Sequence, residues 1–226
     1  MISFRSFLFA LVLVGLAQAQ NSPYPNMAPA DQYLMERSAE IALARSAAPE
    51  AVSRDATVMV LGKRGYETAA KGKNDFVCLV ERSWSAPQAD PGFWNPKTRG
   101  PICLNAPAVR TYLPLTLKKS ELALSGRSKA QIAEAIKAAL DKKEIPSIET
   151  GAMSYMLSKQ QYLGDAGVHW HPHLMFFVPL ADAAAWGADV PGSPIISGKV
   201  PEDRLTIFMV PVEKWSDGTA DHGPSH

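Results

Sequence analysis

The sequence predicts an α+β fold: a mostly antiparallel central sheet of about five strands, with two or three helices packed on one face. Three observations support this prediction. Short apolar and β-branched runs recur along the chain, a helix with a complete start signal begins after Ser128, and two extended segments flank a glycine-containing turn at 164–167.

The N-terminal segment has the pattern of a secretory signal peptide. Arg5 precedes an unbroken apolar run from Phe7 to Leu16, and an A-Q-A sequence follows. We therefore expect cleavage after Ala19 and export to the periplasm or the cell exterior. No later stretch is apolar over a spanning length, so no membrane span is expected after cleavage of residues 1–19.

The charge balance of the mature chain gives no basis for binding nucleic acid or an anionic membrane surface. Removal of the signal segment lowers Lys plus Arg from 23 to 22, which equals the 22 Asp plus Glu. The remaining chain is long enough for one domain with a substantial core. We expect a flexible lead-in at 20–30, a single globular domain at 31–213 and a disordered polar tail at 214–226.

The first half of the domain contains one predicted helix and two predicted strands. Apolar residues recur at helical spacing from Asp31 to Ser46, and Pro49 ends the helix. Apolar, β-branched runs at 57–61 and 75–82 predict strands. We expect these strands to be neighbours in the sheet, joined by a polar connection.

The two cysteines, Cys78 and Cys103, are predicted to form a disulfide. An even number of cysteines in an exported chain favours one bond over a pair of free thiols. A two-cysteine metal site is disfavoured, because the spacing is long and no C-x-x-C motif is present. The role expected for this bond is structural.

The tryptophans of two loops have two interpretations. The segment 83–101 is rich in proline and is expected to be irregular, and 181–198 is rich in Ala, Gly and Pro. Trp84, Trp94 and Trp186 form a candidate ligand platform, for example for a sugar ring. The interpretation that we favour is packing onto the sheet, because large aromatic side chains are usually buried.

Two helical segments follow the cysteines. Residues 107–124 are expected to form helical pieces interrupted at Pro114, since proline cannot donate the helical hydrogen bond. The S-K-A-Q sequence at 128–131 matches a capping box, and apolar residues recur on one face as far as Asp141. The sequence therefore predicts a well-defined helix after Ser128.

The remaining strands are predicted in the last third of the domain. Residues 149–159 alternate in the manner of a strand, and the turn at 164–167 leads to a fully apolar run at 174–178. We expect these two segments to pair as an antiparallel hairpin with a long connection. A last buried strand is predicted at 204–210, where Pro211 ends it.

The segment 168–177, V-H-W-H-P-H-L-M-F-F, holds three of the five histidines in the chain. In an extended backbone His169, His171 and His173 share one face, because side chains alternate with a period of two. Same-face neighbours are about 6.6 Å apart, so two imidazoles can reach one metal ion at bond lengths of about 2.0–2.1 Å. The outer pair is about 13 Å apart, so all three converge only if the strand bends at Pro172.

This pattern predicts a transition-metal site that holds zinc or copper. A catalytic zinc site has three protein ligands, so a further ligand is expected from elsewhere in the chain. The candidates are Asp165, Tyr155, Glu149 and His222. Thioethers of Met153, Met156 and Met175 would favour copper. The alternative is that the histidines are ordinary side chains paired with water and backbone.

The sequence thus predicts an exported metal-binding protein: a metal-dependent hydrolase, a redox protein or a metal carrier. It contains no H-E-x-x-H, C-x-x-C, S-x-x-K or G-x-S-x-G motif, so the common signatures of metalloproteases, thiol redox proteins, β-lactamases and α/β-hydrolases are absent. The alternative function is a non-catalytic binding or structural protein, whose tryptophan-rich loops hold a small molecule or an envelope partner.

Overall fold

The computed structural model describes residues 22–165 and 169–223. The predicted signal peptide at 1–19 lies outside the described residues, as do part of the turn predicted at 164–167 and the last three residues of the predicted tail.

The described chain forms one eight-stranded sheet and five α-helices. The strands are β1 Thr57–Gly62, β2 Gly65–Ala70, β3 Val77–Glu81, β4 Gly100–Leu104, β5 Met153–Met156, β6 His173–Pro179, β7 Ile196–Val200 and β8 Leu205–Pro211. The helices are α1 Arg37–Arg45, α2 Glu50–Ser53, α3 Ala106–Thr111, α4 Leu113–Leu124 and α5 Lys129–Asp141. In the sheet order β2-β1-β3-β4-β5-β6-β8-β7, every neighbouring pair is antiparallel except β1 with β3. The predicted α+β class and the mostly antiparallel sheet are confirmed.

The sheet is larger than the five strands that the sequence predicts. The additional strands are β2, β4 and β7. Two of them, β2 and β7, are the edge strands, and their largely solvent-accessible residues lack a clear apolar alternation. The third, β4, contains Pro101, which is typical of a loop. Proline is tolerated there because Pro101 pairs only with Val80 of β3, and pairing with β5 begins at Cys103.

Helices cover both faces of the sheet, so the prediction of one covered face is wrong. Leu43 and Ala44 of α1 pack with Cys78 and Val80 of β3. The intervening residue Leu79 belongs to the larger core with α3, α4 and α5. Successive strand residues point to opposite faces. All five residues of β3 are buried, so a second helical layer is required.

The helix predicted at 31–46 is divided in two. Ala30–Tyr33 forms a 3-10 turn, and α1 begins only at Arg37. The Glu36 carboxylate sets this start, because it accepts hydrogen bonds from the backbone N–H groups two and three residues later.

Both later segments are helical as predicted, but the interruption predicted at Pro114 lies at Tyr112. Pro114 lies in the first turn of α4, where its missing N–H is tolerated, and the chain breaks between α3 and α4 at Tyr112. Ser128 and Gln131 form the reciprocal capping box that begins α5. Within the described ranges, none of the helices combines the length and the apolar character that spanning a bilayer requires.

Three strand pairs position the disulfide and the histidine segment. Cys78 of β3 lies directly opposite Cys103 of β4, with Cα atoms 4.0 Å apart and the sulfur atoms at disulfide distance. β5 and β6 pair as an antiparallel hairpin, with Met156 opposite His173. β6 also pairs with β8, so the residues before β6 lie beside the chain that leaves β8.

Candidate metal centre

Three ligand-type side chains meet near the start of β6. His169, His171 and Asp221 each offer one ligand atom, and these atoms all lie within 4.8 Å of one another. Two of them belong to the predicted histidine pattern, and the third follows β8. Across 22–165 and 169–223, no other group of three or more His, Cys, Asp or Glu side chains converges in this way.

The backbone places the two histidines just outside the sheet. β6 begins at His173, so His169 and His171 precede the strand. The Pro172 carbonyl accepts a hydrogen bond from the N–H of Val212 at 2.8 Å, whereas Pro172 has no N–H to donate in return. The segment therefore remains beside the end of β8 without continuing the ladder.

A turn after β8 returns the chain to the histidines. The N–H of Trp215 donates to the Thr219 carbonyl at 2.9 Å, and the N–H of Asp221 donates to the Glu213 carbonyl at 2.8 Å. The Trp215 side chain is buried and anchors the turn. Residues 214–223 thus place Asp221 beside the histidines. They belong to the segment for which the sequence predicts a disordered tail.

The Asp221 carboxylate bridges the two imidazoles. Its Oδ1 lies 2.7 Å from Nε2 of His169, and its Oδ2 lies 2.5 Å from Nδ1 of His171. The two rings are 4.6 Å apart between centroids and nearly perpendicular, at 77°. Two ligands of one tetrahedral ion are about 3.4 Å apart, because each bond is about 2.0–2.1 Å long. A cation therefore fits among these atoms after side-chain shifts of about 1 Å.

The three side chains differ in their access to solvent. The Asp221 side chain is 6% exposed, whereas those of His169 and His171 are 29% and 50% exposed. Burial opposes ionisation of Asp221, but hydrogen bonds from His171 and His169 and from the N–H of Gly223 outweigh it and lower the pKa of the carboxyl. The carboxylate is thus held in the charged form that binds metals, with solvent on the histidine side.

His173 lies outside this group and supports it. Its side chain is buried, and its Nδ1 lies 2.8 Å from the backbone carbonyl of His171. A carbonyl can only accept, so Nδ1 of His173 carries a hydrogen and donates it. Burial lowers the pKa of His173. A neutral His173 therefore fixes the backbone that presents His171.

Two of the further candidate ligands are engaged elsewhere. Glu149 accepts two hydrogen bonds from Arg110, at 2.9 and 2.7 Å. Asp165 accepts hydrogen bonds from the hydroxyl groups of Tyr24 and Tyr162. Neither carboxylate belongs to the histidine group.

The other two candidates also lie apart from the group. Tyr155 packs its ring against Phe76, with centroids 6.2 Å apart. His222 is exposed next to Asp221 in the chain but contributes no atom to the group. The histidine pair is thus joined by a residue that the sequence does not single out.

Asp221 was missed because its partner His169 lies 52 residues away. Its polar surroundings are typical of a tail. One local signal was present: Asp217-Gly218 is a dipeptide that favours a tight turn, and it follows Trp215, an aromatic residue that requires burial. A turn at that point returns the chain toward β8.

The tryptophan platform is largely covered by protein. Trp84 and Trp94 are buried, and Nε1 of Trp84 donates to the hydroxyl of Ser120 at 2.9 Å. Trp186 is 41% exposed, and it stacks on Phe208 with centroids 4.3 Å apart. The burial of the first two supports the packing interpretation.

No protein-family model, curated protein or solved structure matches this chain. The functional inference therefore depends on the chemistry of the group itself. That chemistry consists of two imidazole nitrogens and one ionised carboxylate around a solvent-accessible point, the donor set of a three-ligand metal centre.

Proposed function

We propose that the protein is exported and binds a transition metal, zinc or copper, through His169, His171 and Asp221. The observation that carries the proposal is the position of the Asp221 carboxylate, 2.7 and 2.5 Å from two imidazoles that lie about fifty residues earlier in the chain. Three protein ligands with solvent on the remaining side resemble catalytic zinc sites, which keep a position for water or substrate.

The donor set favours divalent zinc or copper over monovalent copper. Imidazole nitrogen and carboxylate oxygen suit the divalent ions, whereas Cu(I) prefers thiolate and thioether sulfur. Both cysteines are in the disulfide. Met156 and Met175 are buried and line a cavity to which none of the three ligands contributes.

The same geometry supports a hydrolytic reaction class. A zinc ion held by three protein ligands supplies a Lewis acid and lowers the pKa of a bound water to about 7. The protein's own contribution is to hold the ligand set. Asp221 supplies a negative charge, His173 fixes the backbone of His171, and the exposed faces of the two histidines admit a substrate. The non-catalytic alternative is that the protein carries the metal through the same three ligands.

Export is supported by the disulfide between Cys78 and Cys103, because such bonds persist in oxidising compartments. The signal-peptide pattern at 1–19 gives the same expectation from sequence.

Calorimetric titration of zinc and of copper into EDTA-treated, untagged mature protein tests the proposal. We expect one ion per chain. Asp221→Asn is expected to weaken zinc binding by at least about 100-fold, since even groups that only orient a ligand contribute about 10- to 100-fold.

The matched control is His222→Ala, which removes an exposed imidazole adjacent to Asp221 and should leave the affinity unchanged. The proposal is wrong if the wild type takes up neither metal, or if Asp221→Asn binds as tightly as the wild type. If the wild type takes up neither metal, the His169–Asp221 and His171–Asp221 contacts are hydrogen bonds without a metal.

A further inference from the structure

The cavity lined by Met156 and Met175 lies between the sheet and the loop that follows β3, with a volume of about 180 Å³. Its floor crosses five strands and is formed by Glu81, Gly100, Met156, Met175 and Ile207. None of the three metal-site residues lines it. It is therefore a separate site whose occupant the metal proposal does not explain.

The cavity is mainly apolar and has the size of a single ring. Gly100 keeps its floor open, because a Cβ at this position would lie 3.3 Å from Cδ2 of Leu163 and 3.4 Å from Cε of Met156. An apolar cavity of about 150 Å³ in another protein holds one benzene molecule. The cavity here accommodates a ring with a short substituent.

Two carboxyl residues line the cavity, Glu81 and Asp90, and Oδ1 of Asp90 already accepts a hydrogen bond from the N–H of Gly92 at 2.6 Å. Glu81 is 8% exposed, and its Oε1 accepts hydrogen bonds from the hydroxyls of Tyr112 at 3.2 Å and Thr116 at 3.1 Å. Its Oε2 accepts no hydrogen bond from the part of the chain that the structure describes. Burial raises the pKa of Glu81, and the two hydroxyls and the charge of Lys119 offset this effect only in part.

Arg82 also lines the cavity and Lys119 lies near Glu81, and both cations already have carboxylate partners. Arg82 pairs with Glu40 at 2.8 Å, and Lys119 pairs with Asp203. All four of these side chains are at most 5% exposed. The negative charge of an ionised Glu81 is therefore left without a dedicated counter-charge.

Two serines, Ser83 and Ser85, line the cavity. Their Oγ atoms are buried and make no hydrogen bond with any described residue. Ser83 is only 3% exposed. Ser85 is close enough to Glu81 to favour its charged form, but without hydrogen-bond geometry. Buried polar atoms without partners are uncommon in folded proteins, and both hydroxyls are able to bond to a polar group of a ligand.

We propose that this cavity binds a small organic ammonium cation with an apolar body about the size of one ring. An ammonium group brings a positive charge and up to three N–H donors. Glu81 Oε2 and the hydroxyls of Ser83 and Ser85 provide three acceptors. The thioether side chains of Met156 and Met175 contact the apolar body.

An NMR titration of the EDTA-treated full mature chain tests the proposal independently of the metal site. The probe is benzylamine at pH 8, and the neutral comparison is benzyl alcohol, which has a similar shape. We expect saturable shifts of the Ser83 and Gly100 amide signals with benzylamine, and an affinity at least ten times lower for the alcohol.

Three variants locate the interaction. Glu81→Gln should bind the amine and the alcohol with similar affinity. Ser83→Ala removes a hydroxyl that bonds to no described residue, so the fold should be kept while amine affinity falls about three- to tenfold. Ser154→Ala, the matched control, removes another buried hydroxyl without a partner, away from the cavity, and should bind as the wild type does.

The proposal is overturned if the wild type shows no saturable shifts, or if it binds the amine and the alcohol equally. It is also overturned if Ser83→Ala binds benzylamine as tightly as Ser154→Ala does. The comparison of Ser83→Ala with Ser154→Ala tests the proposed binding even if Glu81→Gln fails to fold.

Discussion

Glu40 is a charged residue that α1 directs into the core. Its side chain is 1% exposed, and its Oε1 accepts hydrogen bonds from Nη2 of Arg82 at 2.8 Å and from the N–H of Leu61 at 3.1 Å. Arg82 is fully buried and also donates to the Tyr33 carbonyl at 2.7 Å. Two charges removed from water are tolerated only with such mutual pairing. The pair therefore joins α1, β1 and the end of β3.

Glu40→Gln is expected to lower the free energy of unfolding by about 3–5 kcal/mol, because it leaves the Arg82 charge buried and uncompensated. Urea denaturation measures this loss. The matched control, Glu67→Gln, breaks the exposed pair with Arg37 and should cost less than about 1 kcal/mol. Equal losses in the two variants would contradict the importance assigned to burial.

Residues in a local pattern could be predicted, and residues brought in by tertiary contacts could not. His169 and His171 lie two positions apart, so their proximity follows from backbone geometry. Asp221 joins them through a turn after β8, and no local spacing indicates that contact. Glu40 is similar, because a glutamate in an amphipathic helix is usually solvent-exposed.

At the scale of single elements, a helix or strand can be predicted from the sequence when its own residues stabilise it. α5 begins directly after Ser128, because the side chains of Ser128 and Gln131 bond to backbone N–H groups at the helix start, and this signal is entirely local. The edge strands β2 and β7 are held mainly by pairing with β1 and β8, so their sequences carry little information about them. The presence of helices on both faces of the sheet could not be predicted either, because it depends on which strands lie at the centre of the sheet.

The disulfide between Cys78 and Cys103 connects two single elements, because it links β3 to β4 at one directly paired position. Replacement of Cys78 and Cys103 by alanine should lower the free energy of unfolding by about 3 kcal/mol, the loss expected when the unfolded chain is released from a cross-link of this span. Denaturant unfolding of the oxidised wild type and the double variant measures the difference. An unchanged midpoint would show that the cross-link does not constrain the unfolded chain.

At the scale of the whole molecule, the proposed metal site joins two segments that both lie outside the sheet. His169 and His171 precede β6, and Asp221 follows the last strand. The ligand atoms come together only when β6 and β8 are paired and the turn anchored by Trp215 is formed. Because the unfolded chain lacks this geometry, metal binding must stabilise the native domain as a unit.

Thermal unfolding in the presence of zinc measures this linkage. Zinc at about 100 times its dissociation constant should add about 2.7 kcal/mol to the free energy of unfolding. For a chain of this size the corresponding rise in Tm is about 5–11 °C, at about 2–4 °C per kcal/mol. His222→Ala should show the full rise and Asp221→Asn almost none. A full rise in Asp221→Asn would mean that Asp221 does not hold the zinc, since this variant keeps both histidines and loses only the carboxylate charge that joins them.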